Sequence, residues 1–345
     1  MRTLHGPPNR SPADLLAATA QWCREHDVRF DVYGTGPVIE DFERRVATLL
    51  GFEAARFMPS GVMAQNIALR VHADRAGLPH VGMHPTSHLE LHEERAYAHL
   101  HDLHVTLVGP TDRPLLARHL DAVPEPLAAL LVELPIREAG GQLPPWDELE
   151  ALKARTAERS IALHLDGARL WQCPPFYDRD LKTICAGFTS AYVSFYKDVG
   201  ALSGAMLLGD TDFIRRAAVW QRRQGGTLWS QIASVASAAM RLDAALARMP
   251  AFREHARAIA TALRALPGVR ILPDPPHTNL FHVIVERTVE DAVAGRARAE
   301  AETGIRPYSG IRPGPLPGTF RVEICILDTG IAPAEAAEAW RIALS

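Results

Sequence analysis

The amino-acid sequence predicts an α/β fold: a large domain on a mostly parallel sheet, followed by a smaller C-terminal α+β domain. Three observations carry this prediction. Ser160-Ile161-Ala162-Leu163-His164-Leu165 is an aliphatic run that ends at a charged residue, the pattern of a buried strand. A helix-compatible stretch over 181–186 leads into a second strand-like run, 190–196, completing a βαβ unit. From 105 to 136, strand and helix signals alternate again. A chain of 345 residues with 47% hydrophobic content can bury a large core, and its length suggests two domains.

Taken in order, Pro12–Glu25 is amphipathic enough for a helix. Pro37–Leu50 is another, with Val38, Phe42, Val46, Leu49 and Leu50 close to a 3.6-residue period. Between them Asp31-Val32-Tyr33-Gly34-Thr35-Gly36-Pro37 reads as a turn. Ala54–Met58 is a short strand candidate, Pro59-Ser60-Gly61 breaks it, and a helix over 62–73 begins there. A long helical stretch, 230–247, leads to Pro250, and a separate helix is predicted over 252–266. Strand candidates at 269–272, 280–285 and 320–326 belong to the smaller domain. Residues 1–245 are assigned to the large domain and 246–345 to the small one, with no repeat and no low-complexity segment.

A net charge of −3 gives no broad electrostatic reason to expect nucleic acid or an anionic membrane as partner. No run of about 18 apolar residues is present to span a bilayer, and the segment from Met1 to Pro8 lacks the apolar core of a signal peptide, so a cytoplasmic protein is expected. Cys23, Cys173, Cys185 and Cys325 are far apart without metal-ligand spacing, so reduced thiols and no metal are expected.

The chemistry concentrates in His164-Leu165-Asp166-Gly167-Ala168-Arg169 and Lys197. Alone, Asp166 reads as a loop carboxylate and Lys197 as a solvated charge. Both, however, fall at the carboxyl ends of predicted strands, where open α/β sheets hold ligands. Together they read as a pyridoxal 5'-phosphate site: the lysine holds the cofactor as a Schiff base, and the carboxylate keeps the pyridine nitrogen protonated. Pro59-Ser60-Gly61-Val62 adds a strand-turn-helix junction, whose free N–H groups and helix dipole suit the cofactor phosphate. A plain helix cap is the usual meaning of Ser-Gly before a helix, and the junction gains its weight from Asp166 and Lys197.

The order Asp31-Val32-Tyr33-Gly34, Pro59-Ser60-Gly61, His88, Asp166-Gly167-Ala168-Arg169, Lys197, Gly225-Gly226 and Arg321 resembles the threonine aldolase group of fold-type I pyridoxal phosphate enzymes, also described as β-eliminating lyase-like. The resemblance runs from about Asp31 onward and implies a homodimer or homotetramer with active sites between subunits. It implies Lys197 as the cofactor lysine and Asp166 as the partner of the pyridine nitrogen. By the same resemblance Ser60, Gly61 and Val62 meet the phosphate, His88 lies on the ring face, and Arg169, Arg321 and Tyr33 bind substrate. A guanidinium fork matches the substrate α-carboxylate.

Departures from the family pattern bear on the reaction. Val62 stands where a hydroxyl residue is usual, Tyr196 replaces the serine before the lysine, and Asp198 replaces a glycine after it. Thr227-Leu228-Trp229-Ser230 carries no phosphate-reaching arginine, leaving Arg222 or Arg223 to compensate. Val132-Glu133-Leu134-Pro135-Ile136-Arg137-Glu138 lacks the histidine that contacts a substrate hydroxyl. His88 and His92 are candidates for proton transfer, and Glu93 and Arg137 are specificity candidates or a solvated ion pair. The function expected is aldol-type cleavage of the Cα–Cβ bond of a β-hydroxy-α-amino acid to glycine and an aldehyde. The alternatives are β-elimination or another amino-acid modification, and a noncatalytic dimeric scaffold.

Overall fold

The computed structural model describes residues 1–6 and 11–345, so the end of the N-terminal segment read above, Pro7 and Pro8, lies outside the described residues. The chain divides into two compact units. One comprises Ser11–Leu134 and Pro144–Leu246; the other comprises Met1–Arg10, Pro135–Leu143 and Ala247–Ser345.

The larger unit holds a seven-stranded sheet in the order Ala54–Met58, Ala205–Gly209, Ser190–Ser194, Ala162–Gly167, Ala129–Glu133, His80–Met83, His104–Leu107. Pairings along the last five strands are parallel, and only Ala205–Gly209 runs antiparallel to its neighbours. Ala129–Glu133, Ser190–Ser194 and Ala205–Gly209 are buried at every position, as strands covered on both faces must be. The α/β class and mostly parallel sheet therefore stand as the sequence predicts.

The helices Pro12–Glu25 and Pro37–Leu50 have the predicted bounds. In Pro37–Leu50 the buried stripe is Ile39, Phe42, Val46, Ala47 and Leu50; Val38 and Leu49 are only partly covered, so the core face keeps Phe42, Val46 and Leu50 and shifts toward Ile39 and Ala47. Gly51 closes this helix at φ +76, a left-handed cap that glycine adopts without penalty. The helix Gly61–Ala76 begins at the Ser60 cap and buries most of its length against the sheet.

One expectation is corrected. The helices placed on either side of Pro250 are a single helix, Ile232–Arg264, with Pro250 inside it. A proline removes one helical N–H bond and strains one turn, and a 33-residue helix rich in alanine and arginine has enough other bonds to continue through it.

The smaller unit carries a four-stranded antiparallel sheet, ordered Ser309–Pro313, Phe320–Cys325, Leu280–Val285, Val269–Leu272. Tyr308, Phe320 and Trp340 fill its core beside the helices Val289–Thr303 and Pro333–Leu344. Two segments distant in sequence belong to it. Arg2–Thr3 pairs in parallel with Ile305–Arg306, and 135–143 forms a turn closed by the Ile136–Gln142 bridge. Pairing of this kind leaves no local trace, so a linear division at 245/246 does not capture it. Among the described residues no helix is long and apolar enough to cross a membrane.

Candidate active site

Three parallel strands present their carboxyl ends in one row. Glu133 stands opposite Asp166, and Asp166 opposite Tyr192. Asp166 is buried, and its carboxylate accepts from Gln65 Nε2 at 2.8 Å and from the Ala168 N–H at 3.0 Å. Gln65 comes from the helix Gly61–Ala76, so the helix that starts at the Ser-Gly turn also fixes this carboxylate. A hydrogen-bonded carboxylate held at a strand end is poised to receive a protonated ring nitrogen.

Lys197 follows the strand Ser190–Ser194 after a two-residue bend. Burial pushes its ammonium pKa down, and the Arg169 guanidinium pushes further in the same direction; Asp166, Glu133 and Asp198 pull partly back. All four groups therefore share the lysine's electrostatic surroundings. A lysine with a lowered pKa has more of its amine free to attack a carbonyl carbon. Asp198, which stands in the place of a glycine, is buried and accepts from Gln172 Nε2 at 2.8 Å.

Ser60 caps Gly61–Ala76, its Oγ accepting from the Met63 N–H at 3.2 Å. Glycine is required next to it for space: a Cβ on Gly61 would lie 2.1 Å from the Tyr192 hydroxyl oxygen. Gly226 packs against the same turn, where a Cβ would lie 2.2 Å from the Met63 sulfur. The first helical N–H groups thus lie at a turn whose two glycines make room for the Tyr192 hydroxyl and the Met63 sulfur, while Val62 is 41% exposed beside it. Arg223 is drawn elsewhere, stacked 4.7 Å from the Trp220 ring, and Trp220 donates to Asp74 near the far end of the helix.

His88 opens a short helix and bonds through Nδ1 to Glu93 Oε1 at 2.9 Å. Glu93 is buried, and its other oxygen accepts from Asn66 Nδ2 at 2.9 Å. The His92 ring lies 5.0 Å from that of His88. Glu93 thus serves His88 and Asn66 in the larger unit, and in the smaller unit Arg137 bonds Glu323 at 2.6 Å.

Tyr33 sits at φ +51 in a turn, is 54% exposed, and donates its N–H to the Trp229 carbonyl at 2.9 Å. Buried Asp31 clips the same two segments together by accepting from the Ser230 hydroxyl and the Gln231 N–H. Arg321 lies in the smaller unit, where its guanidinium reaches the Glu138 carboxylate and carbonyl, each at 3.3 Å. The larger unit thus gathers Lys197, Asp166 and Arg169 at one place, with Ser60, Gly61 and Val62 on the helix that holds Asp166. Gln65, Asn66 and Tyr192 were not singled out in the sequence; polar residues within a buried helical stretch were the signal available for the first two.

The donor set fits pyridoxal phosphate. It offers a desolvated amine, a buried carboxylate with fixed orientation, and helix-start N–H groups at a turn where a Cβ would collide.

Comparison with known proteins agrees with this geometry. The family model described as beta-eliminating lyase matches residues 25–288. A solved structure of a candidate L-allo-threonine aldolase from Listeria monocytogenes superposes with a TM-score of 0.92 at 37% identity, covering 99% of this chain and 94% of that one. Aldolase vrtJ of Penicillium aethiopicum is 31% identical over 90% of this chain and 79% of its own length. The low specificity L-threonine aldolase of Escherichia coli K12 is 29% identical over 68% of this chain and 71% of its own. The chain belongs to the beta-eliminating lyase family.

Proposed function

We propose that this protein is a pyridoxal phosphate-dependent aldolase that cleaves a β-hydroxy-α-amino acid of the threonine or allo-threonine type to glycine and an aldehyde. The observation that carries the reading is the Lys197 amine, desolvated and sharing its surroundings with Arg169 and the fixed Asp166 carboxylate. Names of relatives that are threonine aldolases support the same choice.

On this reading Lys197 holds the cofactor through its amine, and Asp166 pairs with the pyridine nitrogen. Ser60, Gly61 and Val62 border the phosphate, and His88 covers a ring face. When bound, the cofactor supplies an electron sink for the carbanion that bond cleavage leaves at Cα. Arg169 takes the substrate α-carboxylate, and Tyr33 contributes to the substrate pocket. Fixing the carboxylate restricts rotation about the bond to nitrogen, which decides which Cα bond breaks. With His88 Nδ1–H donating to Glu93, Nε2 is the atom that accepts the β-hydroxyl proton. This supplies a base although the histidine usual in the 132–138 segment is absent.

The reading also carries a cytoplasmic homodimer or homotetramer. Exposed Phe30, Tyr33 and Trp229, at 73%, 54% and 64%, support a self-association surface. Incubation of the holoenzyme with L-threonine and L-allo-threonine tests the reaction. Acetaldehyde and glycine in equal amounts support it; ammonia and a 2-oxo acid overturn it in favour of elimination.

A further inference from the structure

We infer that Arg56 and Gln221 are positioning residues for the substrate side of the site, holding the Tyr33 turn and the 225–231 segment to the strand that leads into Ser60-Gly61. The inference rests on the reaction proposed above.

Ala54–Met58 is an edge strand of the seven-stranded sheet and runs directly into Pro59-Ser60-Gly61. On its free edge the Phe57 N–H and carbonyl need partners other than a strand. Glu43 Oε1 accepts from the N–H at 2.7 Å, and Gln221 Nε2 donates to the carbonyl at 2.9 Å. Gln221 is fully buried on the helix Thr211–Arg223, and both ends of its amide are engaged. Nε2 also reaches the Gly226 carbonyl at 3.3 Å, while Oε1 accepts from Arg56 Nε at 2.9 Å. Arg56 carries the connection on to the Tyr33 turn, its Nη1 donating to the Gly34 carbonyl at 3.3 Å. Gly34 sits at φ +75, and a Cβ there would lie 2.8 Å from Arg56 Nη2, so glycine both permits the turn and lets the guanidinium lie against it.

The far side of the same two segments is closed by Asp31, which accepts from Ser230 and Gln231, and by the Tyr33 N–H bonded to the Trp229 carbonyl. The Tyr33 and Trp229 rings meet edge to face at 5.2 Å. The 227–230 segment carries no arginine to anchor it on a phosphate. Its anchors are instead groups of the protein itself, Gln221 at Gly226 and Asp31 at Ser230 and Gln231, and none of them needs a ligand. The Tyr33–Trp229 wall is therefore preset, and its position depends on a guanidinium that bonds Gln221 and the Gly34 turn at once.

Arg56→Met keeps the stem and removes the donors. It is expected to raise KM for L-threonine or L-allo-threonine about tenfold, with kcat changed by less than about twofold, because the wall contributes equally to ground-state and transition-state binding. Pyridoxal phosphate affinity, read by absorbance titration, should stay unchanged. Chymotrypsin should cut faster after Tyr33 and Trp229 in the variant, with and without cofactor. Arg56→Lys should fall between the two, since one ammonium cannot serve Gln221 and Gly34 together. Unchanged KM and unchanged cleavage overturn the inference, as does a loss of cofactor affinity and Tm with KM unchanged. A wild-type holoenzyme that cleaves neither amino acid overturns the proposed reaction, while the chymotrypsin rates still decide whether Arg56 holds the two segments.

Discussion

His88 is oriented by a carboxylate that is itself pinned, and this determines which of its nitrogens can act. Asn66 donates to one oxygen of Glu93, leaving the other to accept from His88 Nδ1. In Glu93→Gln the carbonyl oxygen is drawn to Asn66 and an amide N–H faces Nδ1, which favours the wrong tautomer. The expected result is a fall in kcat of about 100-fold or more with little change in KM, and an altered pH–rate profile. A fall confined to KM would instead place Glu93 in binding. Gly61→Ala drives a methyl into the Tyr192 hydroxyl and should lower stability by about 1–3 kcal/mol, read from the urea midpoint. The placing together of Asp166, Arg169 and Lys197 was legible in the sequence because all three lie at or just after the carboxyl ends of neighbouring strands. Gln65, Asn66 and Tyr192 were not, since their roles arise only when Gly61–Ala76 packs over the carboxyl ends of the sheet.

At the scale of elements, apolar period and turn residues located most of the large sheet, because Ile161, Val193 and Val132 lie in runs that only burial accounts for. The strand Ala205–Gly209 and the helix Thr211–Arg223 were missed. Ala205-Met206-Leu207-Leu208 has no β-branched residue and becomes a strand by pairing with Ser190–Ser194 and Ala54–Met58. Pro250 misled in the other direction, since the rule that proline ends helices is local and Ile232–Arg264 is sustained along its whole length. Pro250 is exposed within that helix, so Pro250→Ala should stabilise the protein by about 1–3 kcal/mol by restoring an N–H bond and better propensity. A lower denaturation midpoint in this variant would mean that the helix needs a bend there.

Over the whole molecule, buried histidines set the response to acid. Burial lowers His72 to about 3 and His277 to about 4, with Arg75 and Arg253 respectively adding to the effect. The unfolded chain takes up protons from about 6.5 downward, whereas the folded state does so only below those values. Their contribution is fully present above pH 6.5 and lost as pH falls, so Tm should drop between pH 6.5 and 4. Glu43 acts with the opposite sign. Burial raises it to about 7, so its contribution is present below about 4.5 and lost as pH rises through 7. Glu43→Gln should therefore raise Tm at pH 8, by the equivalent of about 1 kcal/mol, and leave it nearly unchanged at pH 5. An equal shift at both pH values would show that the carboxyl's ionisation is not the cause.

The most direct test of the account is borohydride reduction of the protein with bound pyridoxal phosphate, followed by peptide mapping of the modified lysine. The account predicts a visible absorption band that borohydride abolishes, with the label on Lys197 and no label in Lys197→Ala. A label on another lysine, or no band at saturating cofactor, would contradict it.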